Sequence, residues 1–282
     1  MQFLKQLILE LKRPLSLPVR AEVISPDVLS STSVQEIGDL TVWEGNRTVK
    51  IEEIFNVKGE TGAPPSEFCV VVSGDVEKIR HLGYRMSSGL LKIEGNAGMY
   101  LGEEMCGGRI SIEGNAGSWL GSKMRGGTIE VYGDAGDNVG SSYRGSREGM
   151  NGGLMIIHGN AGVESGCWMG DGIIRIKRNA GIFPGIHMCG GVILIEGDCD
   201  GRAGAGMTGG RIIVCGKVDD VLPSFAIEEI RNMTKVGDEK IEGPFYVFQG
   251  DVVSEKIGRI FVSVTKNPHL NWCEKYLEPW QM

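Results

Sequence analysis

The sequence lacks most of the features that announce a function. No apolar run approaches the roughly 20 residues that cross a bilayer as a helix, and the opening MQFLKQLILELKRP interrupts its apolar residues with Lys5, Glu10 and Lys12. No small-residue cleavage site follows, so neither a signal peptide nor a membrane partner is expected and the working compartment reads as cytoplasmic. Positive charge is in deficit: 29 Lys and Arg face 36 Asp and Glu, for a net charge of -7. Such a chain repels phosphate backbones and is not expected to bind nucleic acid. None of the seven cysteines forms C-x-x-C, and the four histidines do not cluster at ligand spacing. A local zinc ribbon or ferredoxin-type cluster is therefore excluded. A phosphate-cradling G-x-x-x-x-G-K-[ST] loop is missing as well.

What the chain has in excess is glycine, 44 residues, of which 35 lie between Gly83 and Gly216. They fall into rows of 19: GYRMSSGLLKIEGNAGMYL from Gly83, GEEMCGGRISIEGNAGSWL from Gly102 and GSKMRGGTIEVYGDAGDNV from Gly121, then four more starting at Arg147, Gly166, Gly185 and Gly204. The shared pattern is G-x-x-M-x-G-G-x-I-x-I-x-G-N-A-G, anchored by Met86, Met105, Met124, Met150, Met169, Met188 and Met207. One insertion, Gly140 to Ser146, interrupts the count. Within each row the apolar residues alternate, as in Ile110/Ile112 and Ile193/Ile195, which predicts a short strand with one buried face. Gly-Gly before it and Gly-Asn-Ala-Gly after it are turn signals. A unit this small buries its apolar face only by stacking on copies of itself.

The expected fold is therefore all-β, a right-handed parallel β-helix of seven or eight roughly 19-residue coils with non-repetitive caps. Residues 1–68 are read as an N-terminal cap or docking region, 69–222 as the solenoid and 223–282 as a C-terminal cap or docking region. Val70 to Val76 looks like a degenerate coil; helices are predicted at Asp27–Ile37 and Ser224–Asn232, and a strand pair at Phe245–Gln249 and Ile260–Val264. Gly126 and Gly190 are expected to need positive φ. The recurring Asn96, Asn115, Asp134, Asn160 and Asn179 are read as a structural ladder at the turn.

Candidate chemistry is sparse. Glu94, Glu113 and Glu196 share one coil position, and a carboxylate pair in consecutive coils is the glycosidase arrangement. The same position carries Tyr132, His158, Lys177 and Cys215, so a solvated face is the better reading. His187 and Cys189 lack a third group to orient them as a nucleophilic pair. No catalytic, cofactor-binding or metal residue is assigned. Two features remain. The insertion carries Arg144, with Arg147 directly after it, a pair suited to an anion or a partner chain. The outward strand positions also turn apolar in later coils, at Ile156, Ile173, Val192, Leu194 and Ile213. Such a face needs a cover, either the chain's own C-terminal segment or another subunit, and these residues are the expected partner interface.

These rows resemble those of the C subunit of formylmethanofuran dehydrogenase and of the C-terminal domain of the glutamate synthase large subunit. The C subunit of the formyltransferase/hydrolase complex of methylotrophs is similar as well. The repeat spans residues 83–222, and the length of 282 with its non-repetitive flanks fits a stand-alone C subunit. The resemblance implies a complex that reduces carbon dioxide with ferredoxin electrons and attaches the formyl group to methanofuran, the first step of methanogenesis from CO2. It implies a tungsten or molybdenum bis-pterin in a catalytic B subunit, a dinuclear metal site in an amidohydrolase-like A subunit, iron-sulfur subunits and a D subunit. The C subunit would carry no cofactor and act as the rigid body on which the others dock. A stand-alone β-helix enzyme is the remaining alternative; an acyltransferase would be expected to show coils of 18 residues.

Overall fold

The structure, a computed structural model, describes residues 5–252 and 258–277. It is mostly β. A 13-stranded mixed sheet runs the length of the chain, beside a small four-stranded sheet near the N-terminus. Among the described residues no helix is long and apolar enough to cross a membrane.

The N-terminal region contributes β1 (Lys5–Leu11), β2 (Val19–Arg20), β3 (Thr41–Glu44), β4 (Arg47–Lys50) and β5 (Phe55–Gly59). Then follow β6 (Phe68–Ser73) and β7 (Ile79–Arg80). The seven repeat rows add β8 (Leu90–Glu94), β9 (Arg109–Ile112), β10 (Thr128–Val131), β11 (Asn151–Ile157), β12 (Asp171–Ile176), β13 (Cys189–Ile195) and β14 (Gly209–Val214). Successive rows pair in parallel and in register, Leu91 with Ile110, then Ile129, Met155, Ile174, Ile193 and Ile212. A second parallel ladder runs through the turn alanines, from Val76 and Ala97 to Cys199 and Val218. Residues 68–76 thus stack as a row ahead of the first full repeat, with Val70 opposite Leu91.

Stacking explains the motif. All seven anchoring methionines are fully buried. The Met105 methyl lies under Gly127 of the next row, 2.7 Å from where a Cβ would sit, and Met169 stands in the same relation to Gly191. The second glycine of each Gly-Gly pair therefore both takes positive φ and leaves room for the methionine beneath it. Gly126 and Gly190 differ from expectation, because positive φ belongs to Gly127 and Gly191 instead. What holds Gly126 and Gly190 to glycine is close approach: a Cβ would stand 2.4 Å from the Cys106 carbonyl oxygen and 2.0 Å from that of Gly170.

Two other expectations are corrected. The segment around Asp27–Ile37 is two short helices, α1 (Pro26–Leu29) capped by Ser25 and α2 (Val34–Asp39) opened by a Ser33–Glu36 capping box. The second cap restarts the helix where one continuous helix was expected. Ser224–Asn232 is not helical. It leads into β15 (Ala226–Val236), which pairs with β16 (Glu239–Gly250). Two register shifts, at Ile227/Glu229 and Arg231/Met233, break the strand alternation, so the sequence loses its period-two signature there. The expected pair at the C-terminus is present as β16 against β17 (Gly258–Ser263), with Phe248 opposite Ile260.

The two ends of the large sheet close differently. At one end β1 pairs in parallel with β6 and antiparallel with β5. At the other, β17 adds in parallel to β14, and β16 and β15 then return antiparallel. A main core fills the stack, while a separate apolar cluster lies outside it, where Leu194 and Ile213 meet Val236, Phe245, Val247 and Phe261.

Candidate functional site

The turn of Gly-Asn-Ala-Gly forms a continuous polar ladder. The Asn96 side-chain oxygen accepts from the Asn115 N–H at 2.9 Å, Asn115 from Asp134 at 2.8 Å, and Asp134 from Asn160 at 2.7 Å. Asn160 and Asn179 continue it, accepting from Asn179 and Asp198 at 3.1 and 2.9 Å. Each side chain satisfies a backbone donor one row on. The ladder is thereby occupied in holding the stack.

The carboxylates that share a coil position are likewise engaged with cations. Lys92 bridges Glu94 at 2.9 Å and Glu113 at 2.8 Å, and Glu196 meets Arg175 at 2.6 Å and Lys177 at 2.7 Å. Hydrogen bonds from Lys92 and Ser73 hold the Glu94 carboxyl below its ordinary pKa, so this carboxyl is not a proton donor near neutral pH. Burial pushes the thiols of Cys167, Cys199 and Cys215 up to about 11, away from the nucleophilic form. His187 is exposed and stacks on Trp168, ring centroids 4.6 Å apart. Among the described residues no group of three or more His, Cys, Asp or Glu is placed to hold a metal.

The expected partner interface divides. Leu194 and Ile213 are fully buried, covered by the β15–β16 hairpin of the same chain, and Ile173 and Val192 pack against that cluster. The chain's own tail thus covers these four, because an apolar outer face on strands this regular excludes water most readily under a second layer of sheet. At the hairpin tip Glu239 accepts from Arg175 at 2.9 Å, and a Cβ at Gly237 would lie 4.0 Å from Ile173. Ile156 lies outside the covered cluster and is half-buried. Arg144 and Arg147 are exposed.

The insertion is where sequence reading missed most. Tyr143 donates to Glu103, which also accepts from His81 Nδ1 at 2.6 Å. Only 5% of Glu103 is exposed. Burial opposes its charge, but the bonds from His81 and Tyr143 outweigh this and hold its pKa below the ordinary carboxylate range. Burial and the Glu103 carboxylate together raise the Tyr143 pKa, so the phenol stays a donor. His81 stacks on Tyr100 at 4.8 Å, and Tyr100 on Trp119 at 5.4 Å. These three residues are 19 apart in sequence, so the repeat period itself was the unused signal. Tyr143 arrives from the insertion, where no period applies.

Thus clamped, the insertion borders an open groove of about 510 Å³. Lys123 and Arg125 come from the third row, Arg147 and Glu148 from the start of the fourth, directly after the insertion, and Trp168 and Cys189 from rows five and six. Two absent side chains form its floor. Gly149 occupies the place of Arg85, Glu104, Lys123, Trp168 and His187 in other rows, and Gly170 that of Cys106, Arg125 and Cys189. Arg147 lies over Trp168 at 5.6 Å and Lys123 over Tyr143 at 5.3 Å. Lys123, Arg125, Arg144 and Arg147 form no ion pair among the described residues.

No family model matches the sequence. The C subunit of molybdenum-containing formylmethanofuran dehydrogenase 1 from Methanosarcina barkeri is 38% identical over 96 residues, 34% of this chain and 32% of its own length. The C subunit of tungsten-containing formylmethanofuran dehydrogenase 2 from Methanothermobacter marburgensis is 41% identical over 98 residues, 35% of this chain and 36% of its own. The chain thus spans about a third of the length of the curated relatives it matches. A chain of the crystal structure of the formyltransferase/hydrolase complex (FhcABCD) from Methylorubrum extorquens, in complex with methylofuran, is similar throughout. It matches with a TM-score of 0.81 at 28% identity, over 91% of this chain and 99% of that one.

Proposed function

We propose that this chain is the C subunit of a cytoplasmic formylmethanofuran dehydrogenase complex, a docking body without catalytic residues of its own. The observation that carries the reading is the 38–41% identity to named C subunits of that enzyme. The site geometry supports it. The ladder residues and the stacked carboxylates are bonded to their neighbours, and what stays unengaged is a patterned surface. The stack of rows is read as a right-handed parallel β-helix, capped by residues 1–68 and 223–282. Its stiffness suits it to holding larger subunits in fixed relation. In this reading carbon dioxide is reduced by ferredoxin electrons at a tungsten or molybdenum pterin in another subunit, and the formyl group passes to methanofuran at a third.

A second reading is favoured by the likeness over 91% of the chain to a chain of the formyltransferase/hydrolase complex. There the same docking body would serve transfer and hydrolysis of formyl groups without redox subunits. Purification of a tagged copy from its own host, with mass spectrometry of co-eluting chains and metal analysis, separates the two. Tungsten or molybdenum with iron and a pterin subunit is expected for the dehydrogenase. Amidohydrolase-like and formyltransferase chains without those metals would establish the second reading. A chain that elutes alone would overturn both.

A further inference from the structure

The groove beside the insertion gathers several cations in one place. On the neighbouring sheet face Lys92, Arg109, Arg175 and Lys177 each meet a carboxylate of this chain. In and beside the groove, Lys123, Arg125, Arg144 and Arg147 meet none among the described residues, and Glu148 is the one acid in its lining. A protein of net charge -7 has carboxylates to spare, so leaving these cations unmatched concentrates positive potential there. The groove also coincides with the one break in the 19-residue period. The Glu103–Tyr143 clamp holds the inserted residues against the stack at this point.

The shape restricts what fits. Lys123 and Cys189 belong to rows three apart, about 14 Å at the usual strand spacing of ~4.8 Å. A single small anion does not span that length. An extended polypeptide advancing roughly 3.3 Å per residue covers it with about four residues. The glycine floor at Gly149 and Gly170 lets a backbone approach closely, and Trp168 gives it an apolar wall.

We propose that this groove receives an extended acidic segment of a partner subunit, whose carboxylates meet Lys123, Arg125 and Arg147. The proposal rests on the docking reading and adds where one contact lies and what chemistry the partner brings. Arginine suits the role because its planar fork holds a carboxylate through two hydrogen bonds.

The test uses the tagged complex isolated from its own host and treated with a water-soluble carbodiimide, which couples an amine directly to a touching carboxylate. Peptide mapping is expected to find Lys123 joined to an Asp or Glu of a partner chain. The double variant Arg125→Glu/Arg147→Glu is expected to retain that partner at least about tenfold less well, with an unchanged thermal midpoint. A control pair on the hairpin, Lys235→Glu/Lys240→Glu, is expected to retain it fully. If the groove variant does not fold, Arg125→Lys and Arg147→Lys keep the charge and supply new amines, which should couple to the same segment. Full retention by the charge-reversed variant, with partner cross-links arising only from other lysines, overturns the groove and leaves the docking reading intact. Absence of any co-purifying chain overturns both.

Discussion

One outward column of the large sheet reads Lys92, Ser111, Glu130, Ile156, Arg175, Leu194, Ile213 along consecutive rows. Its early half is polar and solvated, and its ions are paired: Lys92 with Glu94 and Glu113, Glu130 with Arg109 and with His158 at 3.0 Å. Its last two positions are apolar and lie under the β15–β16 hairpin, where Leu194 and Ile213 have no exposed surface, with Arg175 of the row before them reaching Glu239 at the hairpin tip. The inner columns beneath both halves are the same, isoleucine or its equivalents fully buried throughout. Row structure and surface chemistry are thus independent layers. The backbone spacing is set by glycine, methionine and the Asn ladder, while the outer positions are free to match whatever covers them.

The largest expected effect tests the shared framework. Gly126→Val and Gly190→Val lie under the open and covered halves respectively, and each drives a Cβ into a carbonyl oxygen of the preceding row. Both are expected to cost about 4 kcal/mol or more, visible as equal losses of folded yield. A large difference between them would mean that the halves do not share one framework.

Next comes the contrast within the column. Leu194→Lys buries an unpaired charge beneath the hairpin and is expected to cost about 3–5 kcal/mol. Ile156→Lys, half-buried and outside the covered cluster, can extend its ammonium to water and should cost below about 1 kcal/mol. Urea midpoints of the two variants measure the gap. Equal midpoints would show that the hairpin does not seal the late half.

Glu103→Gln sharpens the comparison at the insertion. Loss of a buried, charge-assisted pair of hydrogen bonds should cost about 1–3 kcal/mol at neutral pH. The folded pKa of Glu103 is depressed, so its stabilisation is present above the unfolded carboxylate value and is lost as pH falls through the folded one. The thermal midpoints of wild type and variant should therefore converge on acidification, and a constant difference from neutral to strongly acid pH would refute the role of the charge.

The smallest effect is at the hairpin tip. Arg175 joins Glu196 and Glu239 from a partly exposed position. Arg175→Ala is expected to cost about 1 kcal/mol or less, and hydrogen exchange should quicken in the tip near Glu239 more than in β13. Uniform quickening would mean that the tip is not an independent tether.

Much of this was legible in the sequence because a fixed period turns sequence distance into spatial neighbourhood. Residues 19 apart become stacked neighbours, which made the methionine anchors and the Asn96–Asn179 ladder visible in advance. Legibility failed where the period failed. Bulges at Ile227/Glu229 and Arg231/Met233 disguised β15, and Tyr143 sits in the insertion, 40 residues from the Glu103 it contacts. The groove was half legible: Arg144 and Arg147 stood out, but Gly149 and Gly170 looked like ordinary glycines of a glycine-rich chain.

Row length, the strand in each row, the parallel register and the buried methionine column all follow from the order of the residues. Glycine at fixed intervals admits one close stacking distance, and alternating isoleucines have one face to bury. The cover over the late outer face and the choice of which cations stay unpaired emerge only in three dimensions. An apolar strip states that it must be covered without naming its cover, and an ion pair depends on which side chains from distant rows meet in space.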